Sequence, residues 1–500
     1  MSGWTLIPVV LPFAVAAASL LLRNRARWQT AIGMTGAALH LTAGCVLLWR
    51  VQRFGIQVLH VASWPAPFGI TMAADHLGAL LVVITGIVYT AVFSYSQADI
   101  SPELRRNGYD PLLHILIGGI SGAFLTGDLF NLYVWFEVML MASFGLLVAG
   151  GKRKQLEGGV KYVVINLLAT LLFLAGLGLV FAVAGTLNMA HLHQVLPSVP
   201  DRGLVAAISV LFLTAFGIKA GLFPLFFWLP ASYHTPPVSV SAVFSGLLTK
   251  VGVYALIRTF TLLFPLDGAG LQNLLLSAAA LTMVTGVLGA AAHAEFRRIL
   301  SFHIISQVGY MVLGLALFTP LAMAGAVFYL LHHILVKANL FLVSGLSRQW
   351  TGSFELEKMG GIYRSRAVLA LLFFIPAFSL AGFPPLSGFW AKMVLIRASL
   401  EAGQFGLAVV AAMVGLLTVY SMSKIWGEAF WKPLPAMDAS GAVEGRRRLS
   451  AWSLAPVALL ALMTVTIGIW VEPFVNLSMA AAHELMNPEG YVQAVLGGSP

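Results

Sequence analysis

The sequence predicts an all-α polytopic membrane protein of about fourteen transmembrane helices, built as a single integral membrane domain. Three observations predict it. The 500 residues are 59% hydrophobic and 10% charged, with a mean hydropathy of +0.89, far outside soluble composition. Apolar runs of roughly 20 residues, the length that crosses a hydrocarbon core, recur along the whole chain. Arginines and lysines collect in every second connection between those runs.

Spans are predicted near residues 4–22, 29–49, 76–96, 111–127, 129–150, 160–184, 204–229, 238–263, 271–292, 297–318, 321–346, 367–396, 404–426 and 452–471. They group as three N-terminal helices over 1–110, a five-helix repeat over 111–263, a second over 271–430, and a final helix with its tail over 431–500. The first run starts at Trp4, and its cations Arg23, Arg25 and Arg27 follow it, which reads as a retained helix rather than a secretory signal. The second holds Cys45, the only cysteine, which excludes disulfides within the chain, cysteine-rich metal sites and thiol redox pairs. The formal charge of +10 does not imply a nucleic-acid partner, because the basic residues form no stripe with interleaved aromatics.

Orientation follows from the same cations. Arg23, Arg25, Arg27, Arg105, Arg106, Lys152, Arg153, Lys154, Lys161, Arg297, Arg298, Arg348, Lys358, Arg364, Arg366, Lys432, Arg446, Arg447 and Arg448 fall in alternate connections, which are therefore expected to be cytoplasmic. The remaining connections are expected to hold only Arg50, Arg53, Arg202, Arg258 and Arg397, placing both termini outside.

Five lysines are left over inside predicted spans: Lys219, Lys250, Lys337, Lys392 and Lys424. Among the acids only Glu137 lies deep in a span. A charge near mid-membrane costs about 3 kcal/mol on insertion scales, so such residues mark conduction or coupling by default. Lys219 lies in GIKAGLFPLFFWLPASYHTPP, residues 217–237, where Gly221, Pro224 and Pro230 break the seventh span. Backbone groups freed there need protein or a water-filled cavity around them. The pattern Ala220, Gly221, Phe223, Pro224, Leu225, Trp228 returns as Ala381, Gly382, Phe383, Pro385, Leu386, Trp390, so the twelfth span is expected to break too, in a second repeat inverted against the first.

Each candidate has a chemical and a structural reading. Glu137 reads as a proton acceptor tuned by Lys219, or as a carboxylate stapling helices. Lys219 in a low-dielectric cavity can release a proton, or it can fill carbonyls freed by the break. Lys250 ends a polar stripe of Ser241, Ser245 and Thr249, hydroxyls that can relay protons through water or join helices. His333 and Lys337 share a face of span eleven, while His332 points about 100 degrees away and reads as a relay or as a hydrogen-bonded core residue. His303, Ser306, Gln307 and Tyr310 line one face of span ten, either holding water or bonding to neighbouring helices. Lys392, just past the second break, reads as a terminal gate or as a snorkelling side chain, and Lys424 as a snorkelling interface residue. No metal site is expected, and no haem, phosphate-loop, quinone or nucleotide motif implies a cofactor.

The stretches DLFNLYVWFEVMLMASFGLL (128–147), GIKAGLFPLFFWLPASYHTPPVSVSAVFSGLLTKVGVY (217–254) and RRILSFHIISQVGYMVLG (297–314) resemble the antiporter-like membrane subunits shared by respiratory complex I, membrane-bound hydrogenases and Mrp-type multisubunit cation/proton antiporters, the last most of all. The resemblance implies a fourteen-helix fold with discontinuous helices seven and twelve and a membrane-spanning line of charge. It matches Glu137 to the glutamate of helix five, Lys219 to the lysine of helix seven, Lys250 to the helix-eight site, His333 and Lys337 to the helix-eleven sites, and Lys392 to the lysine of helix twelve. Some complex I relatives carry glutamate at that last place. The chain is also expected to lack the long lateral helix of larger relatives.

The function expected from residues and resemblance together is a proton-translocating, non-enzymatic subunit of a secondary transporter in a prokaryotic cytoplasmic membrane. Its expected partners are other membrane subunits, protons, a monovalent cation with sodium foremost, and the lipid bilayer. The alternative is a proton-pumping subunit of complex I or a hydrogenase.

Overall fold

Helix starts are set by short polar side chains just ahead of apolar runs. The computed structural model describes residues 3–264, 266, 269–433 and 450–497; the predicted loop cations Arg446, Arg447 and Arg448 lie outside the described residues. Asp75 accepts a hydrogen bond from the Gly78 amide, Asp128 from Asn131, Asp201 from Leu204, Glu295 from Arg298 and Thr319 from Ala322, each meeting one of the amides that a helix start leaves unpaired.

The helices in order are α1 (Ile7–Leu21), α2 (Ala26–Phe54), α3 (His76–Asp99), α4 (Tyr109–Leu125), α5 (Leu129–Val148), α6 (Arg153–Ala184), α7 (Arg202–Ala220), α8 (Val238–Leu262), α9 (Ala269–Ala292), α10 (Phe296–Leu317), α11 (Pro320–Thr351), α12 (Ala367–Ala381), α13 (Ser387–Glu401), α14 (Phe405–Ile425), α15 (Ala451–Ile469), α16 (Val471–Met486) and α17 (Glu489–Leu496). Among the described residues, eleven helices are long and apolar enough to cross a membrane, and Ile7–Leu21, Tyr109–Leu125 and Ala367–Ala381 are shorter apolar helices.

Two parts differ from a purely helical reading. Strands β1 (Gln57–His60) and β2 (Thr71–Ala74) pair antiparallel between α2 and α3, with Gln57 opposite Ala74 and His60 opposite Thr71. Beyond the last predicted span, α16 and α17 fold back; α17 packs on β1, and α16 packs on α3, α8 and α11. The N-terminal turn Gly3–Thr5 also meets both strands, so the hairpin and the described ends of the chain share one face, called here the hairpin face.

The core runs along α8 and α11, both buried over their full apolar lengths, with α3, α10, α12, α13, α15 and α16 packed on α11. In contrast α6 presents Val160, Val164, Leu167 and Leu171 outward, an apolar face suited to lipid or a neighbouring subunit.

Both predicted breaks are present, and they share one geometry. α7 ends on Gly221 with φ +83° and α12 on Gly382 with φ +99°, left-handed conformations that glycine adopts without a Cβ penalty. In each, the next amide reaches back to close the last turn: Leu222 N to Gly217 O at 2.9 Å, and Phe383 N to Phe378 O at 3.0 Å. A cis proline follows in each, Pro224 and Pro385. The chain then resumes as the short helix Trp228–Ser232 in the first half and as α13 in the second.

Candidate functional site

At the end of α7 the Ile218 carbonyl accepts from the Gly221 amide at 3.2 Å and from the Trp228 indole at 3.0 Å. Lys219 makes other contacts. Its ammonium donates to Thr170 Oγ1 of α6 at 3.2 Å and lies 4.6 Å from the centre of the Phe136 ring of α5. Glu137 acts on it electrostatically, and no ion pair within 4.0 Å joins the two among the described residues, so the coupling runs through space. Phe136 occupies the position over the lysine. Glu137 is half-buried, and its Oε1 has no protein partner. A cavity of about 20 Å³ beside Lys219 is lined by Phe136, Tyr162, Asn166, Trp228, Tyr233 and Leu248, enough for one water molecule.

The second group lies on α8, α10 and α11. α8 contains a π-helical turn, Phe244–Leu248, and the Lys250 ammonium donates to the Ser245 carbonyl inside it. Such turns loosen the regular ladder and expose carbonyls. The hydroxyls of the predicted stripe separate: Ser241 bonds Tyr233 O at 2.7 Å, Ser245 bonds Ala242 O at 3.1 Å, and Thr249 Oγ1 has no protein partner. Lys337 donates to Leu300 O of α10 at 3.0 Å and lies within electrostatic reach of Lys250. His333 is fully buried in the field of Lys250, Lys337, His332 and His303, and neither of its ring nitrogens has a protein partner.

From there polar contacts continue toward the second break. His303 bonds Ser421 of α14 at 2.6 Å. His332 bonds Ser387, the first residue of α13, at 2.8 Å, so it ties α11 to the break. Gln307 donates to Ser306 at 3.3 Å and accepts from the Tyr329 hydroxyl. Tyr329 stacks on Tyr310 at 5.2 Å, and the Lys392 ammonium sits 5.3 Å from the Tyr310 ring centre. Lys392 also donates to Ala381 O at 3.0 Å, the carbonyl freed by its break. A crevice of about 670 Å³ lies beside it, lined by Gly382, Phe389, Lys392, Arg397, Ala411 and Gly415.

The candidates therefore fall into two clusters: Glu137 with Lys219, and Lys250, Lys337, His333, His303, His332 and Lys392. The small cavity lies on the Lys219 side of Leu248, two residues before Lys250 on α8. Lys424 differs from its snorkelling reading, because its ammonium caps α9 through Ala291 O at 3.2 Å and His293 O at 2.9 Å. Arg258 is corrected as well. It is no loop cation; it is buried in α8 and pairs with Asp75 at 2.5 Å. A second buried pair, Arg105 with Asp110 at 2.9 Å, also escaped the sequence reading. The only signal for either was a charge at the edge of an apolar run.

The family described as NADH:quinone oxidoreductase/Mrp antiporter, TM, matches residues 126–418, which span both clusters. The chain is 43% identical to the D-type subunit of the Na(+)/H(+) antiporter of Alkalihalophilus pseudofirmus, over 99% of its own length and 100% of the relative's. It is 39% identical to the protein of the same name in Bacillus subtilis, with the same coverage. Among solved structures it is similar to a chain of the Mrp complex from a Dietzia species, with TM-score 0.92, 32% identity, and coverage of 99% and 100%. A chain of respiratory complex I from Thermus thermophilus shares the fold, with TM-score 0.82 at 24% identity over 99% and 100% of the two chains.

Proposed function

Because the chain belongs to the NADH:quinone oxidoreductase/Mrp antiporter family, we propose that it is the proton-translocating D-type subunit of a multisubunit sodium/proton antiporter. The observation that carries this reading is the set of buried ionisable side chains running from Lys250 to Lys392, each within electrostatic or hydrogen-bond reach of another. Hydrocarbon does not tolerate such a set for packing alone.

Two ammonium groups in mutual reach repel strongly in a low-dielectric interior. A proton arriving at Lys250 therefore favours departure of one from Lys337, with His333, set between them and the other histidines, as the acceptor. Its two unpartnered nitrogens suit it to take a proton on one side and give one on the other. His303 and His332 lead on to Lys392 and its crevice. At the other end Glu137 supplies a movable negative field for Lys219, so a change in one alters proton affinity at the other.

The partners follow from the same reading: other membrane subunits of the complex, protons and a monovalent cation, sodium by analogy with the named relatives, with the lipid bilayer around them. The positively charged face is cytoplasmic by the cation rule. Both termini then face outward in a prokaryotic cytoplasmic membrane. The likeness to complex I speaks for the fold alone.

Replacing Glu137 or Lys219 by alanine in the assembled complex, reconstituted in vesicles, is expected to lower sodium-dependent proton flux by at least about tenfold, the effect of roughly 1.4 kcal/mol on a barrier. Unchanged flux from an intact complex contradicts the reading.

A further inference from the structure

The groups of the proposed path that lie beyond Lys250 toward the hairpin face have no role so far. Lys250, Tyr254 and Arg258 follow one another at intervals of four on α8, and so lie on one side of the helix, about two turns and roughly 12 Å from end to end. The Tyr254 hydroxyl donates to Phe124 O at 3.0 Å and accepts from Arg258 Nε at 3.4 Å. Arg258 meets Asp75 Oδ2 at 2.5 Å, with its guanidinium 5.4 Å from the Tyr254 ring centre and 5.2 Å from that of Tyr491. Next to Asp75 in the chain, His76 Nδ1 contacts Glu484 Oε1 of α16 at 2.8 Å, and the His76 amide donates to Glu484 Oε2 at 2.9 Å. The inner groups are buried, with Lys250 at 0%, Tyr254 at 1%, Arg258 at 4% and Asp75 at 1% exposed, and the outer ones reach the surface, the His76 and Glu484 side chains being 16% and 22% exposed.

We propose that this file, from His76 and Glu484 through Asp75, Arg258 and Tyr254 to Lys250, is a proton path joining the first lysine site to solvent at the hairpin face, with the Asp75–Arg258 pair as its gate. The inference rests on the proton-translocating reading above. A proton taken from water by Glu484 or His76 passes to the Asp75 carboxylate. Its neutralisation releases Arg258, which stays charged throughout, and the proton goes on past the Tyr254 hydroxyl to the free amine of Lys250. Asp75, ahead of α3, faces His76 alongside Glu484; Asp75, Tyr254 of α8 and Tyr491 of α17 face Arg258, and Asp128 ahead of α5 faces Tyr491. Asp128, whose carboxyl is pushed up to about 6 by burial, adds a second acid at this face that changes charge near neutral pH.

The test uses the assembled complex in vesicles with the hairpin face outward, recording sodium-dependent proton flux against external pH at fixed internal pH. Glu484→Gln is expected to move the external-pH midpoint by at least about half a unit while leaving the internal-pH dependence in place, since it removes the charge that faces His76. His76→Gln gives the same readout through the other partner. Asp75→Asn is expected to lower flux at least about tenfold. An unmoved external midpoint in both surface variants, with flux persisting, overturns the proposal; so does reduced yield of complex with the midpoint unmoved, which marks a mere staple for α16. Failure of the underlying reading is distinct, because it would show as sodium-dependent flux insensitive to Lys219→Ala.

Discussion

Lys219 and Lys392 flank equivalent breaks yet use their ammonium groups differently. At the first break the Trp228 indole adds a second bond to Ile218 O, which the Gly221 amide already meets, while at the second Lys392 itself bonds Ala381 O. The structural role expected of Lys219 thus belongs to Lys392, which carries a chemical one as well. Lys392→Met should abolish flux and also leave a buried carbonyl unmet, costing about 1–3 kcal/mol. Lys219→Met should abolish flux with a smaller loss of stability. Thermal unfolding of the two assembled variants checks this, and equal shifts would contradict it. Trp228→Phe should cost less stability than Lys392→Met, since Ile218 O keeps its bond from the Gly221 amide at 3.2 Å. The lysines and Glu137 were legible in the sequence because a charge in an apolar run stands out. Their partners were not legible: that Phe136, and not the carboxylate beside it, covers Lys219 depends on which way α5 turns.

Among elements, the breaks were the most readable, since glycine and proline punctuate backbone wherever they occur. The equivalence runs deeper than the short sequence match. Asp128 and Glu295 each start a helix as an acidic cap, and each forms an isolated bridge, to Asn188 and Glu355 respectively. The first lies beside β2, through the Gly127 amide on Thr71 O at 2.8 Å, and the second beside the cation Arg297. The two caps open the second helix of each expected five-helix unit. Gly382→Ala should destabilise the complex by about 1–2 kcal/mol, the cost of a left-handed residue with a Cβ. The added carbon would also meet Lys392 Cδ at 3.0 Å, so flux should fall along with melting temperature. A variant with wild-type flux would separate the break from the lysine. Neither the hairpin nor α16 was read from sequence. Their segments are short or carry charge, as Glu472, His483 and Glu484 do in α16, and hydropathy alone passes over them.

For the whole molecule, α8 and α11, buried along their apolar lengths, carry Lys250, His332, His333 and Lys337, and α3, α10, α12, α13, α15 and α16 pack around α11. Hydropathy revealed the membrane fold, but the order in which buried groups meet required the packing of α8 against α10 and α11. The central claim is that the groups from Lys250 to Lys392 form one hydrated line. His333 decides it most directly, because two buried ring nitrogens without protein partners require water. A cryo-electron-microscopy map of the assembled complex at a resolution that shows ordered water should reveal density bonded to both His333 nitrogens and reaching Lys250 and Lys337. A dry, well-ordered His333 pocket in that map would contradict the account.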